Sequence, residues 1–319
     1  MPSYINKWFE IINGMSNTNT YKLAWGRSIV EHTLRLKDIN LSDRVTISFD
    51  DMAIGMIKYY WNQTFFFDLR QTSTRADSPL IYQKITEIID WYQGEFGNIP
   101  EWFDKAVTRI PEDTLTRLIK EVSVILKKDV SWRFSNVNGQ TLDIYELDIQ
   151  KKEISINTAD ALELAEFGEV IIQLLNYKWA QLLEQYNTSP RIASKVKGLS
   201  DSKIRRKSLT NYRDILMKLH DNVVLDFYTN EPIDFNDISI DHFIPWSYMY
   251  SDDLWNLVIT SKTNNSSKSN RVPKKELIEK LEKRNEELIK IIDDDKLRNE
   301  LILSLEHHYI VSFYMNLIG

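Results

Sequence analysis

Apolar positions in the first half of the chain recur at helical spacing. Leu23, Ile29, Val30 and Leu34 predict a helix over residues 21–36, with Thr18-Asn19-Thr20 as its capping residues. A second helix is predicted from about Met52 to Phe67, capped by Asp50 or Asp51. Pro79 suits the first turn of a third that runs through Tyr92. A short helix is expected over residues 101–109. Another is expected from Pro111 to about Lys128, with Glu112 and Asp113 at its start and Lys127 and Lys128 at its end, a polarity that complements the helix dipole. From Trp132 to Ile156 the pattern changes. The segments 132–134, 142–145 and 153–156 are alternating or β-branched, and Asn138-Gly139 and Gln150-Lys151-Lys152 stand between them as turns, which predicts a small β-meander. A long helix follows over residues 158–186, and two amphipathic helices broken near Asp293-Asp294-Asp295 close the chain.

Composition is consistent with a folded, mainly helical protein. Hydrophobic residues make up 43% of the 319 positions and charged residues 27%, while Gly and Pro number only nine and eight. There is no cysteine, which excludes disulfides and thiolate zinc sites. Residues 1–14 lack the features of a signal peptide, and no run of about 18 apolar residues is present. The expectation is a cytoplasmic protein with no membrane partner. The aromatic run Trp61–Arg70 is read as core packing, with base stacking the weaker alternative.

Charge is unevenly distributed. The formal net charge is −6, yet residues 190–213 hold Arg191, Lys195, Lys197, Lys203, Arg205, Arg206, Lys207 and Arg213 against one acid, Asp201. The composition shift places a domain boundary after Asn187, giving domains over 1–187 and 188–319. A charge run of this kind is often a solvated linker. Its contrast with an acidic body, and its position just before the segment described next, favour a nucleic-acid contact through Lys195, Lys197, Lys203, Arg205, Arg206 and Lys207.

That segment, residues 238–273, predicts strand, loop, strand and helix. Ile238-Ser239-Ile240 delivers Asp241-His242 at a strand end, Trp255–Thr260 forms the second strand with Asn256 in it, and a short polar helix over residues 263–269 puts Asn265 and Lys268 on one face. These residue types suit phosphodiester hydrolysis. Histidine can serve as general base near neutral pH, and a carboxylate with a carboxamide suits a hard divalent cation. Neighbouring strand residues point to opposite faces, so Asp241 and His242 can serve one site only where the strand ends or twists. The other histidines, His32, His220, His307 and His308, lack ligand spacing. His307 and His308 are expected to alternate between surface and core along an apolar helix.

The order Asp241-His242, Pro245, Asn256-Leu257, Asn265 and Lys268 resembles the HNH, or ββα-metal, endonuclease motif. The likeness extends to the HNH domain of the RNA-guided CRISPR effector nuclease through Lys268-Ser269 and Val272-Pro273. It covers residues 226–273, and five polar positions and two prolines match in order. The resemblance adds a ββα-metal nuclease domain to the pattern already read, so that a mainly α chain is expected: a large helical N-terminal domain, recognition or regulatory in role, with a small β-meander, then that nuclease domain and C-terminal helices. It implies that His242 activates water, that Asp241 and Asn265 bind Mg²⁺, Mn²⁺ or a similar ion, that Asn256 holds the loop around the base, and that Lys268 sits near the phosphate, with Arg271 beside it. Many HNH proteins carry two Cys-x-x-Cys pairs around a structural zinc. Here Asp226, Thr229, Ser261 and Asn264 stand in those places, so no structural zinc is expected. Packing of Phe227, Tyr228, Phe235, Phe243, Trp246, Tyr248 and Trp255 is expected to replace it.

The expected function is therefore a metal-dependent HNH endonuclease acting on DNA, double-stranded before single-stranded or RNA, in bacterial restriction or anti-phage defence. A partner protein of a defence system is expected on the helical domain. The alternatives are a catalytically silent nucleic-acid-binding or scaffold protein that keeps the fold, an HNH nuclease of a mobile element, and one acting on RNA. The intact Asp241, His242 and Asn265 weigh against the silent form, because fold alone does not decide function.

Overall fold

In the computed structural model, which describes residues 3–38, 43–72, 78–197, 208–220, 223–268 and 271–318, fifteen α-helices among the described residues dominate and the sheets are small and antiparallel. The chain is mainly α. The described residues form two bodies, one of residues 3–187 and 192–197, the other of residues 188–191 and 208–318. No helix among them is long and apolar enough to cross a membrane.

The first body opens with α1 (Tyr4–Gly14), which buries Trp8, Ile11 and Ile12. Helix α2 (Tyr21–Leu34) begins where Asn19 Oδ1 accepts the Tyr21 N–H at 3.0 Å. It is followed by strand β1 (Arg44–Ser48) and α3 (Phe49–Phe67). The cap of α3 is Ser48 rather than Asp50 or Asp51: its hydroxyl accepts the Asp51 N–H at 3.1 Å. Then come α4 (Leu80–Phe96), the short α5 (Phe103–Ala106) and α6 (Glu112–Asp129). Helix α3 packs against α4 and α6. The aromatic run is core: Trp61, Phe65, Phe66 and Phe67 are buried, and Trp102 stacks on Phe66 at 3.9 Å between ring centroids.

The predicted meander is only partly formed. Residues 132–134 are a turn. Strands β2 (Asn136–Val137) and β3 (Gln140–Thr141) make a hairpin, with Asn138 and Gly139 at φ of 51° and 82°, the left-handed values a two-residue turn demands. Strands β4 (Glu146–Asp148) and β5 (Glu153–Asn157) pair, but β5 takes β1 as its other neighbour, giving the order β1-β5-β4. The register sets Val45 opposite Ile156 and Ile47 opposite Ile154, all buried. Matching two apolar faces decided the pairing, not nearness in sequence. The long helix after the sheet is two: α7 (Thr158–Glu166) and α8 (Gly168–Tyr186), broken at Phe167. Gly168 meets Leu34 so closely that an added Cβ would stand 2.6 Å from its Cδ2, so the break brings backbone against side chain where a larger residue would push the Leu34 side chain aside. Helix α9 (Ile192–Lys197) belongs to this body as well.

The second body contains α10 (Thr210–Met217), the hairpin of β6 (Val224–Leu225) and β7 (Pro232–Ile233), and strand β8 (Ile238–His242). One turn of helix, α11 (Trp246–Met249), precedes β9 (Leu257–Ser261), α12 (Lys262–Lys268) and three closing helices: α13 (Leu277–Ile291), α14 (Asp295–Glu306) and α15 (Tyr309–Ile318). Three helices stand where two are predicted, because the chain turns again at His307 and His308. Both histidines are exposed in that turn, and neither is core. Trp255 and Asn256 lie in a 3₁₀ turn ahead of β9, not in the strand. Trp255 stacks on Phe313 at 6.0 Å, and Phe227 meets Phe243 edge-on at 5.9 Å. Phe235, in contrast, is 54% exposed and takes no part in this packing.

The positions expected for the cysteine pairs are joined by one buried carboxylate. Asp226 is 2% exposed. Its Oδ1 accepts the backbone N–H of Tyr228 at 2.8 Å and of Thr229 at 3.2 Å. Its Oδ2 accepts the Thr260 hydroxyl at 2.7 Å, the Ser261 N–H at 2.9 Å and the Asn264 carboxamide at 2.8 Å. The turn after β6 is thereby tied to the end of β9 and the start of α12. Aromatic packing and this hydrogen-bonded knot both link the segments at these positions.

Burial alone would raise the Asp226 pKa, but the donors from Asn264, Ser261, Thr260 and Tyr228 outweigh it and hold it below the usual carboxylate range. A depressed folded pKa means stability that is present above the unfolded value and lost as pH falls through the folded one. Asp226→Ala orphans five donors and is expected to destabilise the second body by about 3 kcal/mol. Urea unfolding from pH 7 down to pH 3 should show Asp226→Asn less stable than wild type at pH 7, with the gap narrowing in acid. Equal stability at pH 7 would remove the knot from the account of this fold.

Candidate active site

The pairing of β8 with β9 sets Asp241 opposite Val258 and His242 opposite Leu257. Strand β8 ends at His242, which is where two adjacent side chains can be turned to one end of the unit. The chain beyond is fastened by Asn256, 1% exposed. Its backbone oxygen accepts the Phe243 N–H at 2.8 Å. Its side chain repeats the backbone pattern on Ile244, with Oδ1 accepting the N–H at 2.8 Å and Nδ2 donating to the carbonyl at 2.9 Å. A carboxamide alone offers both groups in this spacing, since aspartate lacks the donor. Asn256 is thus enclosed in the loop's hydrogen bonding.

Asp241 faces Lys268 and Tyr228. Its Oδ2 lies 2.9 Å from Lys268 Nζ and accepts the Tyr228 hydroxyl at 2.6 Å. Lys268 also donates to the backbone oxygen of His242 at 2.8 Å, and its ammonium lies 5.6 Å from the Tyr228 ring centroid. The Lys268 and Asp241 side chains are 11% and 8% exposed, so this is a buried ion pair. Burial pulls the Lys268 ammonium below the ordinary lysine range, although Asp241 beside it acts the other way. Burial, then the Asp241 charge and hydrogen bond, push the Tyr228 phenol well up, so it remains a donor.

Asn265, on the first turns of α12, donates from Nδ2 to Ser239 Oγ at 2.8 Å and to the Ile240 carbonyl at 3.3 Å. It therefore rests on the same strand as Asp241. No described residue hydrogen-bonds Asn265 Oδ1 or Asp241 Oδ1. Two hard oxygen donors without protein partners, on adjoining elements, suit an ion that keeps most of its own water, as Mg²⁺ does. Among the described residues no three His, Asp or Glu side chains gather into a denser cage.

The ring of His242 is engaged at Nε2 by Asp252 Oδ1 at 2.9 Å. Asp252, Tyr228 and Ser239 are side chains at this site to which sequence reasoning gave no role there. Tyr228 is prominent in the sequence only as packing. Asp252 stands beside Asp253 in a loop, and no spacing rule separates the two.

The basic residues are dispersed. Lys195 is fully buried in the first body, with its ammonium 5.7 Å from the Phe67 ring centroid, so the expected phosphate contact there is corrected: the side chain does not reach the surface. The side chain of Lys197, and Lys203, Arg205, Arg206 and Lys207 entirely, lie outside the described residues. Arg271 is exposed, as are Lys262, Lys274 and Lys275.

Residues 226–274, in the second body, match the family model described as HNH endonuclease. No curated protein and no solved structure matches the chain.

Breaking a buried ion pair from one side leaves an uncompensated charge and typically costs about 3–5 kcal/mol, whereas replacing both partners costs far less. Lys268→Met is therefore expected to lower stability by about that amount in EDTA, and Asp241→Asn with Lys268→Met to recover most of it. Urea unfolding of the two single variants and the double variant supplies the cycle. Simple additivity would mean that the pair carries no coupling.

Proposed function

We propose, from the HNH endonuclease segment at residues 226–274, that this protein hydrolyses phosphodiester bonds of DNA, duplex before single-stranded, with a divalent cation, and serves bacterial restriction or anti-phage defence. The observation that carries the reading is that Asp241 and His242 end one strand inside that segment, with Lys268 bonded to the Asp241 carboxylate and the His242 carbonyl and Asn265 bonded to the same strand. Their types supply a base, two oxygen donors and a cation, the set that this hydrolysis calls for.

In this reading Asp241 and Asn265 hold Mg²⁺ or Mn²⁺, which supplies charge stabilisation to the phosphate and the departing oxygen. His242 removes the proton from the attacking water. Lys268 balances the Asp241 charge and keeps the strand end in place through the His242 carbonyl. Asn256 fixes the loop that starts after the base. The first body is the recognition or partner-binding part, and the basic stretch through Lys203, Arg205, Arg206 and Lys207 makes sequence-independent phosphate contacts.

Purified protein is tested on supercoiled plasmid, single-stranded DNA and RNA, each with Mg²⁺, Mn²⁺ or EDTA. Metal-dependent nicking or cutting of the plasmid is expected. His242→Ala should reduce it by about 10²- to 10⁴-fold, with folding and nucleic-acid binding retained. Cleavage that persists in EDTA, or a His242→Ala variant as fast as wild type, overturns the assignment.

The phosphate contacts have their own signature. Each contributes a slope of about −0.9 in log affinity against log salt on duplex DNA. Replacing Lys203, Arg205, Arg206 and Lys207 with Ala in the His242→Ala background should flatten the slope by a few units and weaken unrelated duplexes alike. An unchanged slope would move the binding face to Lys262, Lys268, Arg271, Lys274 and Lys275.

A further inference from the structure

Asp252 and Asp253 are consecutive carboxylates with different surroundings. Asp253 anchors the loop: Ser251 Oγ donates to its Oδ2 at 2.6 Å, and Arg191 Nη2 reaches Oδ1 at 3.2 Å and Oδ2 at 3.1 Å. The next residue, Leu254, gives its N–H to Glu300 at 2.7 Å. With the loop held there, and with Tyr250 in the left-handed region at φ 53°, Asp252 is turned back onto His242, ten residues upstream. The two side chains are 8% and 19% exposed, so the contact is largely shielded from water.

A carboxylate accepts hydrogen bonds and donates none, so the proton in the 2.9 Å contact belongs to the imidazole Nε2. A neutral imidazole carries a single ring proton. Nδ1 is then the nitrogen with the free lone pair, and no described residue occupies it. We infer that Asp252 is a positioning residue that fixes the His242 tautomer and ring orientation, so that Nδ1 is the nitrogen that takes the proton from water. This rests on the nuclease reading of His242. In the step, one O–H bond of water breaks and its proton goes to Nδ1. The water oxygen forms a bond to phosphorus. The bond from phosphorus to the departing sugar oxygen breaks, and that oxygen takes a proton from solvent. The imidazolium so formed keeps its Nε2–H on the Asp252 carboxylate, whose charge opposes the new positive charge at close range.

Asp252→Asn keeps the shape but offers N–H donors where the carboxylate only accepted. Cleavage kinetics with the plasmid are expected to show kcat lower by about 10²-fold or more, with KM little changed. Asp252→Glu, which restores the carboxylate on a longer arm, should regain part of kcat. A ¹⁵N-labelled sample at pH 8 without metal reads the tautomer directly. Wild-type His242 should show a protonated Nε2 and an unprotonated Nδ1, and Asp252→Asn should shift both nitrogens towards the other form. A wild-type ring protonated on Nδ1, or an Asp252→Asn variant with wild-type kcat and an unaltered ring spectrum, overturns the inference. If the wild type cuts no nucleic acid under any metal, the nuclease reading fails on that result, and the ring spectrum still decides the role of Asp252.

Discussion

The pleat of a β-strand sends neighbouring side chains to opposite faces, and the arrangement around Asp241 and His242 is organised by that constraint. Each of the two has its own set of partners. Asp241 is held by Tyr228 and Lys268, and His242 by Asp252. Lys268 belongs to both, because its ammonium reaches the Asp241 carboxylate and the His242 carbonyl together. The strand stops at His242, and the carboxamide of Asn256 continues the ladder for one more residue in side-chain form. Without that continuation, Ile244 would carry an unsatisfied N–H and carbonyl in a buried loop.

The helix that supplies Asn265 and Lys268 is only seven residues long and buries no residue of its own, so packing cannot fix its angle. Asp226 takes over that task through Ser261 and Asn264, at the junction where β9 becomes α12. A bare carboxylate in a dry interior would be costly, but five donors at 2.7–3.2 Å offset its lost hydration. The position of Asn265 and Lys268 relative to Asp241 thus depends in part on an interaction outside these three residues.

The parts legible in the sequence were those encoded locally. The strand–loop–strand–helix order of residues 238–268, the Asn138-Gly139 turn and helices α2 to α6 followed from periodicity and turn chemistry. The missed elements were set at long range. Strand β1 alternates Val45 and Ile47 with polar neighbours, but it finds β5 more than a hundred residues later. The break at Phe167 sets Gly168 against Leu34, a residue more than a hundred positions earlier. At the site, Asp241, His242 and Asn265 could be named from order and residue type, whereas Tyr228 and Asp252 could not. A tyrosine reads as packing, and a pair of loop aspartates reads as solvated, until the fold brings them within 3 Å of their partners. Lys195 shows the reverse: a basic stretch reads as surface, yet helix α9 turns this one residue inward over Phe67.

The Asp226 knot also changes what assembly of the second body depends on. A zinc clamp is a bimolecular device: it waits for an ion, competes for it with every other thiolate in the cell, and fails when its cysteines are oxidised. A carboxylate arrives with the chain itself. Its closure is first order, indifferent to the zinc supply, and closed to thiol oxidation because the chain has no cysteine at all. The scaffold that carries Asn265 and Lys268 is therefore joined at this point by side chains of the polypeptide itself, with no thiolate for an oxidant to remove.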